Sequence, residues 1–160
     1  MGFRMTLAHG GVVSYGVFRK ELGSRCHEAT AWRWQDIVQQ LDNRHSVERV
    51  GLALLALSRT SGIHGCEIVP GISLSVQSLD PGAMTPDHAH AWWHVYIVQS
   101  GMGMIRCGDN VDMRRIFEKD IIFIPGWCRH SLHNDSSKIF TTLNVSNMVQ
   151  QADLANFKSD

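Results

Sequence analysis

The residues in this chain best equipped for chemistry are histidines. There are nine, and five of them fall between positions 88 and 133. His88, His90 and His94 lie in GAMTPDHAHAWWHVYIVQSG, residues 82–101, and His130 lies in KDIIFIPGWCRHSLHN, residues 119–134. A strand returns its side chains to one face every two residues. His88 and His90 therefore point the same way, and so do Trp92 and His94 if no bulge intervenes. Two imidazoles at i and i+2 can reach one ion, and His130 on a neighbouring strand would complete a facial set of three. Neutral imidazoles suit Fe, Zn, Cu or Ni and leave positions open for substrate, water or oxygen. His94 reads as a fourth ligand, a donor behind the ligands, or an acid–base group beside the ion.

Positioning these groups requires a set of strands. ISLSVQSLD, residues 72–80, alternates Ile72, Leu74 and Val76 with Ser73, Ser75 and Gln77, the pattern of a half-buried strand ending at the Asp80-Pro81-Gly82 turn. AWWHVYIVQSG predicts another strand, closed by Ser100-Gly101. MGMIRC and VDMRRIFE flank Gly108-Asp109-Asn110, a hairpin signal. DIIFIPG, RHSLHN and KIFTTLNVSN predict the last three. ERVGLALLALSRT is apolar enough for a buried strand, with a short helix as the alternative.

Ahead of these, residues 29–42 predict a helix, with Thr30 as N-cap and Trp34, Ile37, Val38 and Leu41 at helical spacing. Trp32 and Trp34 are expected to anchor it to the strands. GGVVSYGVF reads as a strand or an ordered arm, and MVQQADLANFKSD as a short amphipathic helix with a loose end. The division expected is an arm and helix over 1–46, a barrel over 47–148 and a tail over 149–160.

The totals narrow the function classes. At 160 residues, one domain with a substantial core is expected. Fifteen basic and fifteen acidic residues leave no electrostatic footprint for nucleic acid or an anionic membrane. No apolar run is long enough to predict a membrane span. Without a secretory core at the N-terminus, a cytoplasmic protein is expected. The four cysteines form no C-x-x-C pair, so reduced thiols are expected in place of a zinc ribbon.

The two histidine stretches resemble the motifs of the cupin family. The first motif is Gly, five residues, H-x-H, three or four residues, Glu, six residues, Gly. Gly82, His88, His90 and Gly101 match it, with His94 where Glu is usual. The second is Gly, five residues, Pro-x-Gly, two residues, His, three residues, Asn. Pro125, His130 and Asn134 match it, with Lys119 and Trp127 in the two glycine places. The resemblance implies an all-β fold, a jelly-roll barrel with an N-terminal helical arm and a short C-terminal helix, carrying a metal near one mouth. It also implies a homodimer.

Within the cupins the chain looks most like the gentisate and salicylate dioxygenase group, on Pro125, Trp127, His130 and Asn134 and on the ATAWRWQDI stretch. That group holds Fe(II) with three histidines, so the resemblance implies His88, His90 and His130 as ligands. Tyr96 stands where those proteins carry a substrate-binding arginine, and Leu132 where they carry a second histidine. The function implied is a non-heme Fe(II) dioxygenase-like enzyme acting on a small chelating aromatic or enolic substrate, with Zn, Ni, Cu or Mn as other possible ions. His94 and Tyr96 are the candidate catalytic groups. Trp92, Tyr96, Trp127 and Arg129 are the candidate pocket residues. A non-redox isomerase, cyclase or dehydratase, or a small-molecule-binding module, are the other classes the motifs accommodate.

Overall fold

The strand ISLSVQSL explains the architecture better than any other element. In the computed structural model, which describes residues 14–24, 29–42, 51–59, 67–109, 112–156 and 158, it runs antiparallel between two partners. Its alternation is real, but the expectation of one solvent-facing side is corrected. Val76 is fully buried, and Ser73, Gln77 and Ser78 are buried too. The even-numbered row packs under a helix on the outside of the sheet. The odd-numbered row, which carries the polar residues, faces the barrel interior.

The described elements run α1 (Tyr15–Ser24), α2 (Trp34–Asp42), β1 (Leu52–Leu57), β2 (Glu67–Val69), β3 (Ile72–Leu79), β4 (His94–Ser100), β5 (Met102–Cys107), β6 (Arg114–Phe117), β7 (Ile121–Ile124), β8 (His130–His133), β9 (Phe140–Ser146) and α3 (Met148–Asp153). One sheet has the order β1-β3-β9-β4-β7, with β2 paired to β3, and the second has the order β6-β5-β8. All pairings within them are antiparallel. The fold is all-β and jelly-roll-like, as the motifs implied.

LALLAL forms β1, not a helix, because its full length pairs with β3, from Leu52 opposite Leu79 to Leu57 opposite Leu74. Between the sheets, Leu79, Val98, Ile105, Ile116, Leu132 and Phe140 build the inner core. On the outer face, Ile37 and Leu41 of α2 pack on Ala53, Leu57 and Val76. This i, i+4 pair is the whole buried stripe of α2. Trp34 and Val38 are exposed at its rim, and the helix begins at Trp34, too late for Thr30 to be its N-cap. Trp32 anchors as expected: its indole Nε1 donates to the Ser58 carbonyl at 2.9 Å.

Two compact units are present, Met1–Ala31 and Trp32–Asp160. In the first, residues 15–24 are helical, with Ser14 Oγ accepting the Val17 N–H at 3.3 Å, so the strand alternative for this stretch is overturned there. Residues 1–13, Cys26, Cys66 and Asn110 lie outside the described residues. Cys107 and Cys128 are free thiols. Among the described residues no helix is long and apolar enough to cross a membrane.

The two places where the second motif loses a glycine have a backbone explanation. Lys119 and Trp127 both adopt positive φ, 76° and 62°, where glycine is the unstrained residue.

Candidate metal centre

The histidines reach one point by a route the alternation rule did not foresee. His88 is not in a continuous strand with His94. It forms an isolated bridge to His130, with His88 N–H donating to the His130 carbonyl at 3.1 Å and the reverse bond at 2.8 Å. The chain then bends at Ala91–Trp93 and β4 begins only at His94. The bend is pinned by Trp93 N–H donating to Asn147 Oδ1 at 2.9 Å and by Ala91 N–H donating to the Lys158 carbonyl at 3.0 Å. Gly126 closes against it, since a Cβ at that position would collide with the Ala91 carbonyl oxygen. One ring nitrogen from each of His88, His90 and His130 lies within 4.8 Å of the others.

Each ring is held in one tautomer. Nδ1 of His88 lies 2.9 Å from the Pro86 carbonyl, that of His90 lies 2.8 Å from the Trp92 carbonyl, and that of His130 lies 2.9 Å from the Cys128 carbonyl. Nδ1 of His94 lies 2.7 Å from Asn144 Oδ1. A carbonyl oxygen only accepts, so every Nδ1 carries the proton and every Nε2 carries a lone pair. His130 Nε2 is buried with no hydrogen-bond partner. His90 Nε2 and His94 Nε2 stand 2.9 Å apart, and Trp92 Nε1 donates to the latter at 3.1 Å.

The Trp92 N–H already fills the His94 lone pair, so of these two nitrogens that of His90 is the one left for a cation. A proton does not fill the role at neutral pH. Burial, and then the neighbouring His130, lower the His90 pKa from 6.5 to about 4. Burial, and then His90, lower that of His94 to about 3. Burial likewise lowers His130. The ring nitrogens of His88, His90 and His130, all within 4.8 Å of one another, are close enough to share one first-row transition metal ion. Neutral rings, fixed tautomers and an orphaned buried Nε2 together fit such an ion.

The rings open onto a cavity of about 690 Å³. Trp92 and Tyr96 are among the residues that line it. Trp92 stacks on His90 with centroids 4.0 Å apart and planes 3° from parallel. Tyr96 is buried and stacks at 5.2 Å on His94. Its phenol pKa is raised by burial.

Trp127 and Arg129 are not among the lining residues, which corrects their placement in the pocket. The positive φ of Trp127 turns its side chain outward to 55% exposure while its N–H bonds the His90 carbonyl at 2.6 Å. Arg129 pairs at 3.7 Å with Asp87, which Arg106 also holds at 2.7 Å. Both arginines thus brace the residue before His88. Asn134 closes the loop after β8, donating to the carbonyls of Leu79 and Lys138 at 2.9 and 2.7 Å.

Sequence reasoning missed Asn144 and the polar row Ser73, Ser75 and Gln77. The signal was the alternation in ISLSVQSL and TLNVSN, read with its polar side facing solvent.

Residues 75–146 match the family model described as the Cupin domain. No curated protein matches the chain. Among solved structures, a variant of salicylate 1,2-dioxygenase from Pseudoaminobacter salicylatoxidans superposes with a TM-score of 0.70 at 18% identity, over 91% of this chain and 47% of that one. Another variant gives 0.68 at 16% identity, over 81% of this chain and 38% of that one. The same enzyme as adducts with gentisate gives 0.68 at 16% identity, over 81% and 36%. The chain thus spans less than half the length of these enzymes, and at such identity the likeness concerns the fold. Its fold is like that of part of the salicylate dioxygenase, and the match to the Cupin domain model covers 72 of its 160 residues.

Proposed function

We propose that this chain is a metal-dependent cupin enzyme, a non-heme Fe(II) dioxygenase-like catalyst acting on a small chelating aromatic or enolic substrate. One observation carries the reading: His88, His90 and His130, each with its Nδ1 held by a backbone carbonyl, bring one ring nitrogen apiece within 4.8 Å of the others, and His88 and His90 line a cavity. His88, His90 and His130 are the ligands, and His94, beside His90 and accepting from Trp92 Nε1, is the acid–base group next to the ion. A bound Fe(II) supplies a redox-active centre with open positions for a chelating substrate and dioxygen.

The chain's own residues orient the reactants. Trp92 fixes His90 by stacking. Tyr96 keeps its proton through burial and offers an O–H to a substrate oxygen. Asp87, braced by Arg106 and Arg129, holds the approach to His88. The gentisate adducts of the structurally similar enzyme support a small aromatic ligand. The free Cys107 and Cys128 support a cytoplasmic setting, and the exposed apolar side chains Ile121 and Phe123 support a homodimer.

The test is oxygen uptake by anaerobically Fe(II)-loaded protein against hydroxylated aromatic acids, catechols and β-diketones, with His88→Ala alongside. Uptake requiring both Fe(II) and His88 is expected. Uptake indifferent to His88 would overturn the assignment of the site, and metal-bound protein inert towards the whole panel would count against the dioxygenase chemistry.

A further inference from the structure

On the inner face of the larger sheet, side chains form rungs across β3, β9 and β4. Ser73, Ser146 and His94 share the first, Ser75, Asn144 and Tyr96 the second, and Gln77, Thr142 and Val98 the third. The first two rungs largely satisfy their own polar groups. Ser73 Oγ and Ser146 Oγ bond at 2.9 Å, and Asn144 donates Nδ2 to Ser75 Oγ at 3.3 Å while its Oδ1 holds His94.

The third rung does not. Gln77 is only 7% exposed and lines the cavity, yet its amide has no hydrogen-bond partner. Beside it Thr142 is fully buried, and its Oγ1 also has none. The Gln77 amide, without a protein partner and on the cavity wall, is thus free to meet a polar group that enters from the cavity. That group is not an anion. Among the described lining residues there is no Lys or Arg, and the one formal charge, Asp87, is already held by Arg106 and Arg129.

We propose that Gln77 forms a second recognition subsite for a neutral carbonyl or hydroxyl at the far end of an uncharged aromatic chelator. The proposal rests on the metal reading above and deepens it by naming the substrate class. Gln77 stands four residues along and two strands across from His94, roughly 16 Å between Cα positions at ordinary strand dimensions. That span suits a two-ring molecule. A carboxylate at its far end would be buried without a cation and excluded.

Zinc-loaded protein separates binding from turnover. After metal analysis, it is titrated calorimetrically with three matched probes: 3,4-dihydroxybiphenyl, its 4′-acetyl derivative and its 4′-carboxylate. The acetyl ketone is expected to bind about tenfold tighter than the parent, and the carboxylate more weakly than both. Gln77→Met, which keeps the volume, erases the ketone's advantage while zinc content and Tm stay unchanged. If that variant does not fold, Gln77→Glu supplies the comparison, since its carboxylate cannot donate to the ketone. Carboxylate binding equal to that of the ketone, or an advantage that survives the substitution, overturns the proposal. Failure of the metal reading shows separately, as protein that takes up no zinc before any titration, and the proposal then falls with it.

Discussion

At the scale of single residues, the centre depends on which nitrogen of each ring holds its proton. Three of the four acceptors are backbone carbonyls two residues away from their histidine, so they come with the local chain path. The fourth, Asn144, comes from β9, fifty residues beyond His94. Asn144→Leu removes that acceptor and frees the ring to flip. Metal affinity is expected to fall ten- to a hundredfold, measured by competition with a chelator. A substitution that left affinity unchanged would mean His94 is not held for the ion.

The lowered histidine pKa values carry a stability consequence with a definite sign. In the metal-free protein, His90 and His94 remain neutral down to about 4 and about 3, whereas in the unfolded chain they protonate near 6.5. Between those limits the unfolded state binds more protons. Stability is therefore fully present above about pH 6.5, declines as the pH falls and levels off below the folded values. Each ring contributes at most about 1.4 kcal/mol per pH unit. Thermal unfolding of metal-stripped protein from pH 7.5 to 4.5 reads this directly, and His94→Gln is expected to flatten the slope.

At the scale of elements, the turn joining β7 to β8 places His130 against His88. Gly126 lets it close on the bend at Ala91. Gly126→Ala pushes the turn away, and its effect is expected to appear as lost metal stoichiometry along with a lowered Tm. Lys119 sits at φ 76° in a turn away from the ligands. Lys119→Gly relieves that conformation and is expected to stabilise the fold by roughly 0.5–1 kcal/mol in denaturant unfolding, with metal binding unchanged.

At the scale of the whole molecule, the described elements packed on the larger sheet cover its outer face unevenly. α2 packs over β1 and β3. Toward β4 and β7, Val145, Val95 and Phe123 lie side by side across the strands, and so do Leu143, Ile97 and Ile121. Ile121 is 71% and Phe123 61% exposed, on the edge strand of the sheet. An apolar row beside an open strand edge is a surface for association. Sedimentation equilibrium is expected to give about twice the 17.9 kDa chain mass. Phe123→Lys is expected to shift it to the monomer without loss of metal, and a wild-type monomer would remove the dimer.

How much of this was legible beforehand follows from how local each feature is. His88, His90 and His130 could be picked from spacing and motif because the backbone returns them every second residue or places them a fixed count after a Pro-Gly turn. The strands were legible from alternation, and the two missing motif glycines marked positions where the backbone does take positive φ. Alternation, however, separates two faces without saying which one is inside. In β3 the polar row points inward and the apolar row lies under α2, because a sheet with a cavity on one face and a helix on the other buries both. Trp127 has the composition of a pocket residue, yet its left-handed backbone turns it to solvent. The sequence by itself determined which residues could serve as ligands and the strand order along the chain. Tertiary structure alone brought Asn144 to His94 and left Gln77 and Thr142 unpaired side by side, since those contacts depend on which strands become neighbours in the sheet.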